Sequence, residues 1–248
     1  GWEILRAFAR STHVLTEHID AYANETFIGT ATQWDSVRNL INFTRGLLRA
    51  LDVEDRVELD WHGHNDRGHA LTLALHALEL GVDRAHGTAL GIGERVGNTS
   101  MDLMLLNLHM LGLLDERRHD MSVLCEYVEK TSAFTEVPIH PSYPLSGADA
   151  FRTGTGVHAA AIVKAHERGL SHVADRVYSS VPARWFGRSQ EIEVGPMSGM
   201  HNVRHWMRSQ GLEWDPRSGE ALLNAAKAAC RNLSDAELWA ALRAQRAA

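Results

Sequence analysis

The stretch Val57-Glu58-Leu59-Asp60-Trp61-His62-Gly63-His64 alternates apolar and polar side chains. Successive side chains of a strand point to opposite faces, so this pattern predicts a β-strand with one apolar face and one face that carries imidazoles. His62 and His64 would then point the same way, as a pair of metal ligands does. The chain holds 15 histidines, so the pair taken alone could also be a surface coincidence.

A helix and a second βα unit are predicted beyond this strand. Residues Asp66 to Leu80 have apolar side chains at helical spacing, and Gly81 is placed as a C-terminal stop. A short stretch from Val82 to Leu90 follows, and another helix is predicted to begin near Thr99. Alternation of strand and helix is typical of a parallel sheet, where ligands and catalytic groups gather at the carboxyl ends of the strands. The histidine pair would lie at such an end.

The loop Gly91-Ile92-Gly93-Glu94-Arg95-Val96-Gly97-Asn98 ends in an asparagine with two possible roles. Asn98 could cap the next helix, or it could contact a metal ion, and the spacing leaves both roles open. Gly91 and Gly93 could form a tight turn, allow a close approach to a ligand, or do both. The loop is not a dinucleotide-binding fingerprint, because its third glycine does not stand at the position which that fingerprint requires, and no phosphate-cradling lysine follows it.

From Trp61 to Gly112 the chain resembles the last two βα units of the barrel in the family of 2-isopropylmalate, homocitrate and citramalate synthases. These enzymes are divalent-metal acyltransferases related to the HMG-CoA lyases, and the chain is most similar to a 2-isopropylmalate synthase. The resemblance rests on the histidine-rich and glycine-rich motifs quoted above. It continues in ordered elements further along the chain, namely Gly147-Ala148-Asp149-Ala150-Phe151, Gly156-Val157-His158, Tyr178-Ser179-Ser180-Val181-Pro182 with Gly187, and Gly195-Pro196-Met197-Ser198-Gly199.

This resemblance implies an α/β fold, in which the C-terminal part of a (β/α)8 TIM barrel is followed by a mostly helical subdomain. We expect residues 1–136 to form the partial barrel and residues 151–248 to form the subdomain. Residues 137–150 should form a linker, since they hold three of the six prolines of the chain. In the family such a subdomain contributes to the active site of its neighbour, so a homodimer is implied.

The resemblance also implies a reaction. The family joins the acyl methyl group of an acyl-CoA to the ketone of a 2-oxo acid and then hydrolyses the thioester. His62, His64 and Asn98 correspond to ligands of a divalent metal, for which zinc, manganese and magnesium are candidates. The expected substrates are acetyl-CoA and 2-oxoisovalerate, which would give 2-isopropylmalate in leucine biosynthesis. Pyruvate and 2-oxoglutarate are alternative acceptors, as in citramalate and homocitrate synthases, and a lyase of the HMG-CoA type is a further alternative.

Catalytic roles also come from the resemblance. His158 is assigned to proton transfer, with Tyr178 assisting from the same subdomain. Glu94, Gly91 and Gly93 would lie near the thioester and support substrate binding or proton movement. Pattern alone would allow plainer roles: a polar face residue of a helix for the histidine, a half-buried aromatic for the tyrosine, and a loop ion pair with the neighbouring arginine for the glutamate.

The chain departs from the family toward its N-terminus. The family's first strand carries an Arg-Asp-Gly element that supplies the carboxylate ligand of the metal, and no Arg-Asp dipeptide occurs in this sequence. The segment Phe27 to Trp34 lacks the aspartate and the proline that the family has before the histidine strand, and residues 1–30 match no element. We therefore expect that the first barrel strands are missing and that the chain alone binds metal weakly and turns over little substrate. A catalytically silent fragment or a dimerising partner subunit is the alternative.

Composition narrows the class of protein. A net charge of −6 argues against a nucleic-acid surface, and 44% apolar residues are enough for a core. No apolar run is long enough to cross a membrane, and no signal peptide is evident, so we expect a cytoplasmic protein. Cys125 and Cys230 should be buried thiols without a disulfide.

Further helices are predicted from about Val37 to Leu51 with a Thr32 to Asp35 cap, from Gly156 to Glu167, Asn202 to Gln210 and Ser218 to Arg231, and from Asp235 behind a Ser234 to Glu237 capping box.

Overall fold

The structure is a computed structural model that describes residues 14–18, 33–115 and 117–247. Two compact units emerge from the distribution of contacts. The first comprises the described residues up to His119 together with Glu126–Val137, and the second comprises Asp120–Cys125 together with the described residues from Pro138 onward.

The first unit is built on a parallel three-stranded sheet in the order β1-β2-β3. Its strands are β1 (Val14–His18), β2 (Glu58–His62) and β3 (Arg84–Ala85). The register places Asp60 beside Arg84 and Trp61 beside residue 85. The predicted strand therefore ends at His62, two residues earlier than the alternating pattern suggests, and the parallel arrangement follows the predicted alternation of strand and helix.

Helices cover the apolar face of β2. Leu59 and Trp61 are buried in a cluster with apolar side chains from the neighbouring helices, among them Val37, Leu73 and Ala77. Asp60, on the other face of the strand, is also buried, as expected for a strand of a parallel sheet with both faces covered. The helices of this unit include α1 (Gln33–Ala50), α2 (Ala70–Glu79) and α3 (Met101–Met110), with 3-10 turns at Glu54–Arg56 and Ala89–Gly91. A 3-10 turn at Met121–Val123 belongs to the second unit, and the helix that follows it, α4 (Leu124–Thr135), lies in the first unit from Glu126 onward.

Helix α2 begins four residues later than the sequence predicts. The backbone carbonyl of Asn65 accepts a hydrogen bond from the Gly68 N–H at 2.9 Å, which closes a turn before the helix. Gly68 has a φ of +74°, a left-handed conformation that glycine adopts readily. The Asn65 side chain then accepts the N–H of Ala70 at 3.3 Å. The predicted first turn of the helix is thus replaced by a tight turn directly after the histidine pair.

The second unit is mostly helical. Its helices are α5 (Gly156–Glu167), α6 (Ser171–Ala174), α7 (Met200–Ser209), α8 (Pro216–Ala228) and α9 (Asp235–Ala247), with a 3-10 turn at Ala183–Phe186. Strands β4 (Arg152–Thr153) and β5 (Glu191–Ile192) form a short parallel pair. Side chains of the last three helices form the core of this unit: Val203, Trp206, Met207, Leu222, Ala226, Leu238 and Leu242.

Helix boundaries in the second unit follow the sequence with local shifts. Helix α5 has the predicted bounds, and the predicted capping box of α9 is confirmed, because the Ser234 N–H donates to Glu237 Oε2 at 2.9 Å. Helix α8 begins before Ser218, because Asp215 accepts the Ser218 N–H at 2.9 Å and Pro216 occupies the first turn.

Several other expectations can be compared with the structure. Cys125 is buried as predicted, but Cys230 is exposed, because it follows the end of α8 in an irregular segment. Residues 136–151 contain turns and no helix or strand. Within the described ranges, no helix is long and apolar enough to cross a membrane. The interpretation of residues 27–32 and the predicted Thr32 to Asp35 cap lie outside the described residues.

Candidate metal centre

The histidine pair lies at the carboxyl edge of the parallel sheet. His62 is the last residue of β2, and the ring centroids of His62 and His64 are 5.1 Å apart with the planes nearly perpendicular. His64 is buried, with 6% of its surface exposed, and His62 is half-buried. A Cβ atom on Gly63 would lie 3.0 Å from Trp61 Nε1, so a small residue between the two histidines suits this close packing.

The end of the glycine-rich loop runs alongside these histidines. His64 and Asn98 form an isolated antiparallel bridge. On either side of it, the Asn65 N–H donates to the carbonyl of Gly97 at 2.9 Å, and the Thr99 N–H donates to the carbonyl of Gly63 at 3.2 Å. Backbone hydrogen bonds therefore bring all three predicted metal ligands to one edge of the sheet.

The glycines of the loop are explained by its packing around Asn98. Gly91 has a φ of +67° and its carbonyl accepts the Asn98 N–H at 2.8 Å. A Cβ atom on Gly91 would lie 2.9 Å from the Asn98 carbonyl oxygen, and one on Gly93 would lie 2.8 Å from Asn98 Cγ. Gly91 and Gly93 thus serve the tight turn that the sequence allows, while their contact with a substrate stays a prediction.

Asn98 does not cap the following helix. The N-cap of α3 is Ser100, whose hydroxyl donates to Asp102 Oδ1 at 2.9 Å. Asn98 Nδ2 instead lies 3.4 Å from the carbonyl oxygen of Ile92 within the loop. Its Oδ1 atom is buried and accepts no hydrogen bond from the described residues. Because buried oxygens are nearly always partnered, an amide oxygen in this state suits contact with a cation.

Glu94 lies exposed near the tip of the loop, and its role near a substrate stays a prediction. Arg95 binds Asp66, with Nε 3.0 Å from Oδ1 and Nη2 3.3 Å from Oδ2. The hydrogen bond from Arg95 lowers the pKa of Asp66, despite an opposing contribution from desolvation. The arginine therefore fastens the loop to the turn that follows the histidine pair, and the glutamate projects toward solvent.

A polar cluster beside His62 was not predicted. Asp60 has a side chain only 7% exposed, and its Oδ1 atom lies 3.0 Å from Arg84 Nε. Asp60 Oδ2 lies 3.3 Å from His86 Nε2. The His86 ring in turn lies 5.6 Å from the His62 ring, centroid to centroid. The sequence offered one signal for this cluster, because Asp60 has the same strand parity as the two predicted histidine ligands.

The predicted proton-transfer residues meet in the second unit. His158, the third residue of α5, is exposed, and Tyr178 is 47% exposed. Their rings stack with centroids 3.9 Å apart and planes 29° from parallel. The helix start that carries His158 packs tightly on the turn before α7, since the Gly156 N–H donates to the Met197 carbonyl at 3.0 Å and a Cβ on Gly156 would lie 2.7 Å from the Gly199 nitrogen. Two of the motifs quoted from the sequence thus pack together.

The donors at the sheet edge fit one side of a divalent-metal site. Neutral imidazoles and an amide oxygen form a mixed nitrogen and oxygen set that zinc, manganese and magnesium accept to differing degrees. The part of the chain that the structure describes contains no group of three or more His, Cys, Asp or Glu side chains that could hold a metal ion. His62, His64 and Asn98 thus offer two imidazoles and one amide oxygen, and their role as metal ligands stays a prediction.

Comparisons with known proteins show what the chain is similar to in sequence. Residues 26–133 match the HMGL-like family. The 2-isopropylmalate synthase of Rhodospirillum rubrum is 36% identical over 162 residues, which cover 63% of this chain and 29% of that protein. The (R)-citramalate synthase of Aquifex aeolicus is 30% identical over 160 residues, covering 64% of this chain and 29% of that protein. The homocitrate synthase of Saccharolobus islandicus is 30% identical over 172 residues, which cover 68% of this chain and 35% of that protein. The chain spans roughly a third of the length of these relatives.

Proposed function

Because residues 26–133 form an HMGL-like domain, we propose that this chain supplies the metal-binding part of an acyltransferase that condenses an acyl-CoA with a 2-oxo acid. The observation that carries the proposal is the convergence of His62, His64 and Asn98 at one edge of the sheet. The buried Asn98 Oδ1, which accepts no hydrogen bond from the described residues, adds an oxygen donor to the two imidazoles.

These three residues would hold a divalent cation, for which zinc, manganese or magnesium is proposed. Such an ion would act as a Lewis acid toward the ketone of the 2-oxo acid. The side chains themselves do the binding: the imidazoles must be neutral to ligate, and the backbone bridge between His64 and Asn98 keeps an imidazole and an amide oxygen together. This preorganisation reduces the ordering that binding would otherwise require.

His158 and Tyr178 are proposed to move the protons of the reaction. Formation of an enolate from the acyl group needs a base near its methyl group, and the new alkoxide needs a proton donor. The stack of the two rings holds the imidazole and the phenol side by side, and both are exposed enough to meet a substrate. In a homodimer of the kind the family resemblance implies, they would act in the active site of the partner subunit.

The glycine-rich loop is proposed to face the acyl-CoA. Gly91 and Gly93 would lie near the thioester, as the family resemblance implies, and Glu94 is exposed near the loop tip, where it could contact the substrate. The pair of Arg95 and Asp66 fixes the direction of that tip. Glu94 would then position the thioester or support proton movement.

2-Oxoisovalerate is the proposed acceptor, which would make 2-isopropylmalate and place the protein in leucine biosynthesis. The support is the 36% identity to a 2-isopropylmalate synthase, against 30% for the citramalate and homocitrate synthases compared above. Pyruvate and 2-oxoglutarate are the acceptors to test beside it. The isolated chain is proposed to bind metal weakly and to release little CoA, because the described residues form no group of three or more His, Cys, Asp or Glu side chains that could hold the ion.

Equilibrium dialysis with zinc or manganese tests the metal centre. The chain should bind one ion, and His62→Ala, His64→Ala and Asn98→Ala should each weaken binding. His119→Ala is the matched control, because this exposed histidine of the same unit bonds only locally, to the carbonyl of Asp115. Equal binding by the wild type and both histidine variants would contradict the proposed centre.

A free-thiol assay with acetyl-CoA and each of the three 2-oxo acids tests the reaction. Little CoA should be released by the isolated chain, and addition of a protein that supplies the missing carboxylate ligand should raise the rate with the preferred 2-oxo acid. Substantial release by the chain alone would show that no further ligand is needed. Metal binding without any release under either condition would instead favour a catalytically silent or dimerising subunit.

A further inference from the structure

The Asp60–His86 pair borders the proposed metal ligands and is not part of that set. Asp60 is a buried carboxylate on the same face of β2 as His62, and His86 follows β3 directly. The His86 N–H donates to the carbonyl of Trp61 at 2.8 Å, so the backbone continues the parallel pairing to the level of the metal-binding edge. The pair is therefore fixed to both strands of this part of the sheet.

The hydrogen bond to Asp60 sets the direction of the His86 ring. A carboxylate only accepts hydrogen bonds, so His86 Nε2, at 3.3 Å from Asp60 Oδ2, donates to it. Arg84 Nε donates to the same oxygen at 3.2 Å and lies 3.0 Å from Oδ1, which leaves Asp60 little freedom to turn away. The second torsion of a histidine is otherwise broad and poorly determined. His86 is thus an oriented ring, although 42% of its side chain is exposed.

The oriented ring packs against His62. The two centroids lie 5.6 Å apart with the planes inclined at 64°, an edge-to-face geometry that aromatic rings favour. His64 makes a similar contact with His62 at 5.1 Å. His62 therefore has imidazole neighbours that restrict its rotation, and one of them is held in place by a buried carboxylate.

We propose that His86 is a positioning residue that, through its bond to Asp60, holds the His62 ring in the orientation needed to bind a divalent cation. The inference rests on the proposed function in one respect, namely that His62 is a metal ligand. His86 is not assigned as a ligand itself, because its Nε2 atom is committed to Asp60 and the described residues form no group of three metal-binding side chains. Residues that orient a metal-binding histidine typically change metal affinity by about 10-fold to 100-fold.

Titration with Co²⁺ tests the inference, since its visible absorption reports the ligands and the titration gives the dissociation constant. His86→Ala and Asp60→Ala should each weaken Co²⁺ binding by about tenfold, the lower end of the range for such residues. The double variant should be no weaker than either single variant, because both changes remove the same restraint. The position of the absorption bands at saturation should stay that of the wild type, because the ligands are unchanged.

Two further variants guard against trivial explanations. His86→Gln keeps a donor for Asp60 but removes the ring, so it should bind Co²⁺ as weakly as His86→Ala while preserving the buried hydrogen bond. His119→Ala is the matched control, because this exposed histidine of the same unit bonds to the carbonyl of Asp115 and has no part in the Asp60–His86 contact. Its Co²⁺ affinity should stay within about twofold of the wild type, since surface substitutions away from the site have small effects. Thermal unfolding monitored by circular dichroism confirms that each variant is folded.

The outcomes separate the inference from the proposal on which it rests. No Co²⁺ binding by the wild type would overturn the proposed metal centre and the inference together. Wild-type binding that His86→Ala leaves unchanged would overturn the inference alone. A loss beyond about a hundredfold with shifted absorption bands would show that His86 ligates the ion directly, which also overturns the positioning role.

Discussion

His64 and Asn98 are joined by an antiparallel backbone bridge at the carboxyl edge of the parallel sheet. His64 is the second residue of the histidine pair, and Asn98 is the last residue of the glycine-rich loop. Because backbone hydrogen bonds hold both residues, the imidazole and the amide oxygen are brought together before any ligand arrives. The bridge also joins the loop and the strand end into a single structural element. Substitutions in the loop should therefore change the metal affinity of the site.

Gly93→Ala should weaken metal binding without unfolding the protein. The new Cβ atom would lie 2.8 Å from Asn98 Cγ, so the amide must move. The φ of Gly93 is not positive, so alanine keeps the backbone conformation. We expect a loss of zinc affinity of about tenfold, as for substitutions of residues that hold a metal-binding side chain in place. Equilibrium dialysis measures it, and an affinity equal to the wild type would show that the Asn98 side chain is dispensable.

The sequence predicts those parts of the fold that depend on local pattern. The alternation of apolar and polar residues from Val57 to His64 predicts the strand. The alternation of strand and helix around it predicts that the sheet is parallel. The family resemblance agrees with the match of residues 26–133 to the HMGL-like family. Helix α5 and the capping box at Ser234 were predictable because both depend on residues within one turn.

The remaining features depend on contacts between distant residues. The contact of Asp60 with His86 requires the register of β2 against β3, which no local pattern specifies. The pairing of Arg95 with Asp66 requires the loop to fold back onto the turn after the histidines. The exposure of Cys230 depends on where α8 ends, and helix ends are the least predictable part of a helix.

Gly46→Ala and Gly112→Ala should change stability in opposite directions. Neither position has a heavy atom within 4 Å of the new Cβ, so space does not distinguish them. Gly46 lies inside α1, where alanine should raise the free energy of unfolding by about 0.5–1 kcal/mol. Gly112 has a φ of +71°, where alanine should lower it by about 1 kcal/mol or more. Urea unfolding of both variants measures the difference, and stabilisation by both would contradict the left-handed conformation at Gly112.

Glu237 should titrate well below its ordinary range. Hydrogen bonds from Arg231 and from the backbone and hydroxyl of Ser234 lower its pKa from 4.5 to about 2. The folded-state value is the lower one, so its contribution to stability is present above pH 4.5 and is lost as the pH falls toward 2. Carboxyl chemical shifts measured by NMR give the pKa directly. Arg231→Gln should raise the pKa most and Ser234→Ala less, and a wild-type pKa near 4.5 would contradict the capping-box geometry.

Substitutions of Asn98 separate metal contact from helix capping. Ser100 is the N-cap of α3, so Asn98→Ala should leave helix stability unchanged to within about 0.5 kcal/mol and should weaken zinc binding. Asn98→Asp should strengthen zinc binding, because a carboxylate is a better ligand than an amide for a divalent cation. Without metal the same variant should be less stable, because a charge is then buried without a partner.

The aspartate variant thus gains more thermal stability from added zinc than the wild type does, since a ligand stabilises the folded state according to its affinity. Thermal unfolding with and without zinc, followed for the wild type and both variants, measures this gain. A capping role would give a different pattern: a loss of about 1 kcal/mol in Asn98→Ala, and zinc affinity equal in all three proteins. Because only the metal role predicts that the gain from zinc differs between the three proteins, the experiment decides between the roles even if both variants are destabilised.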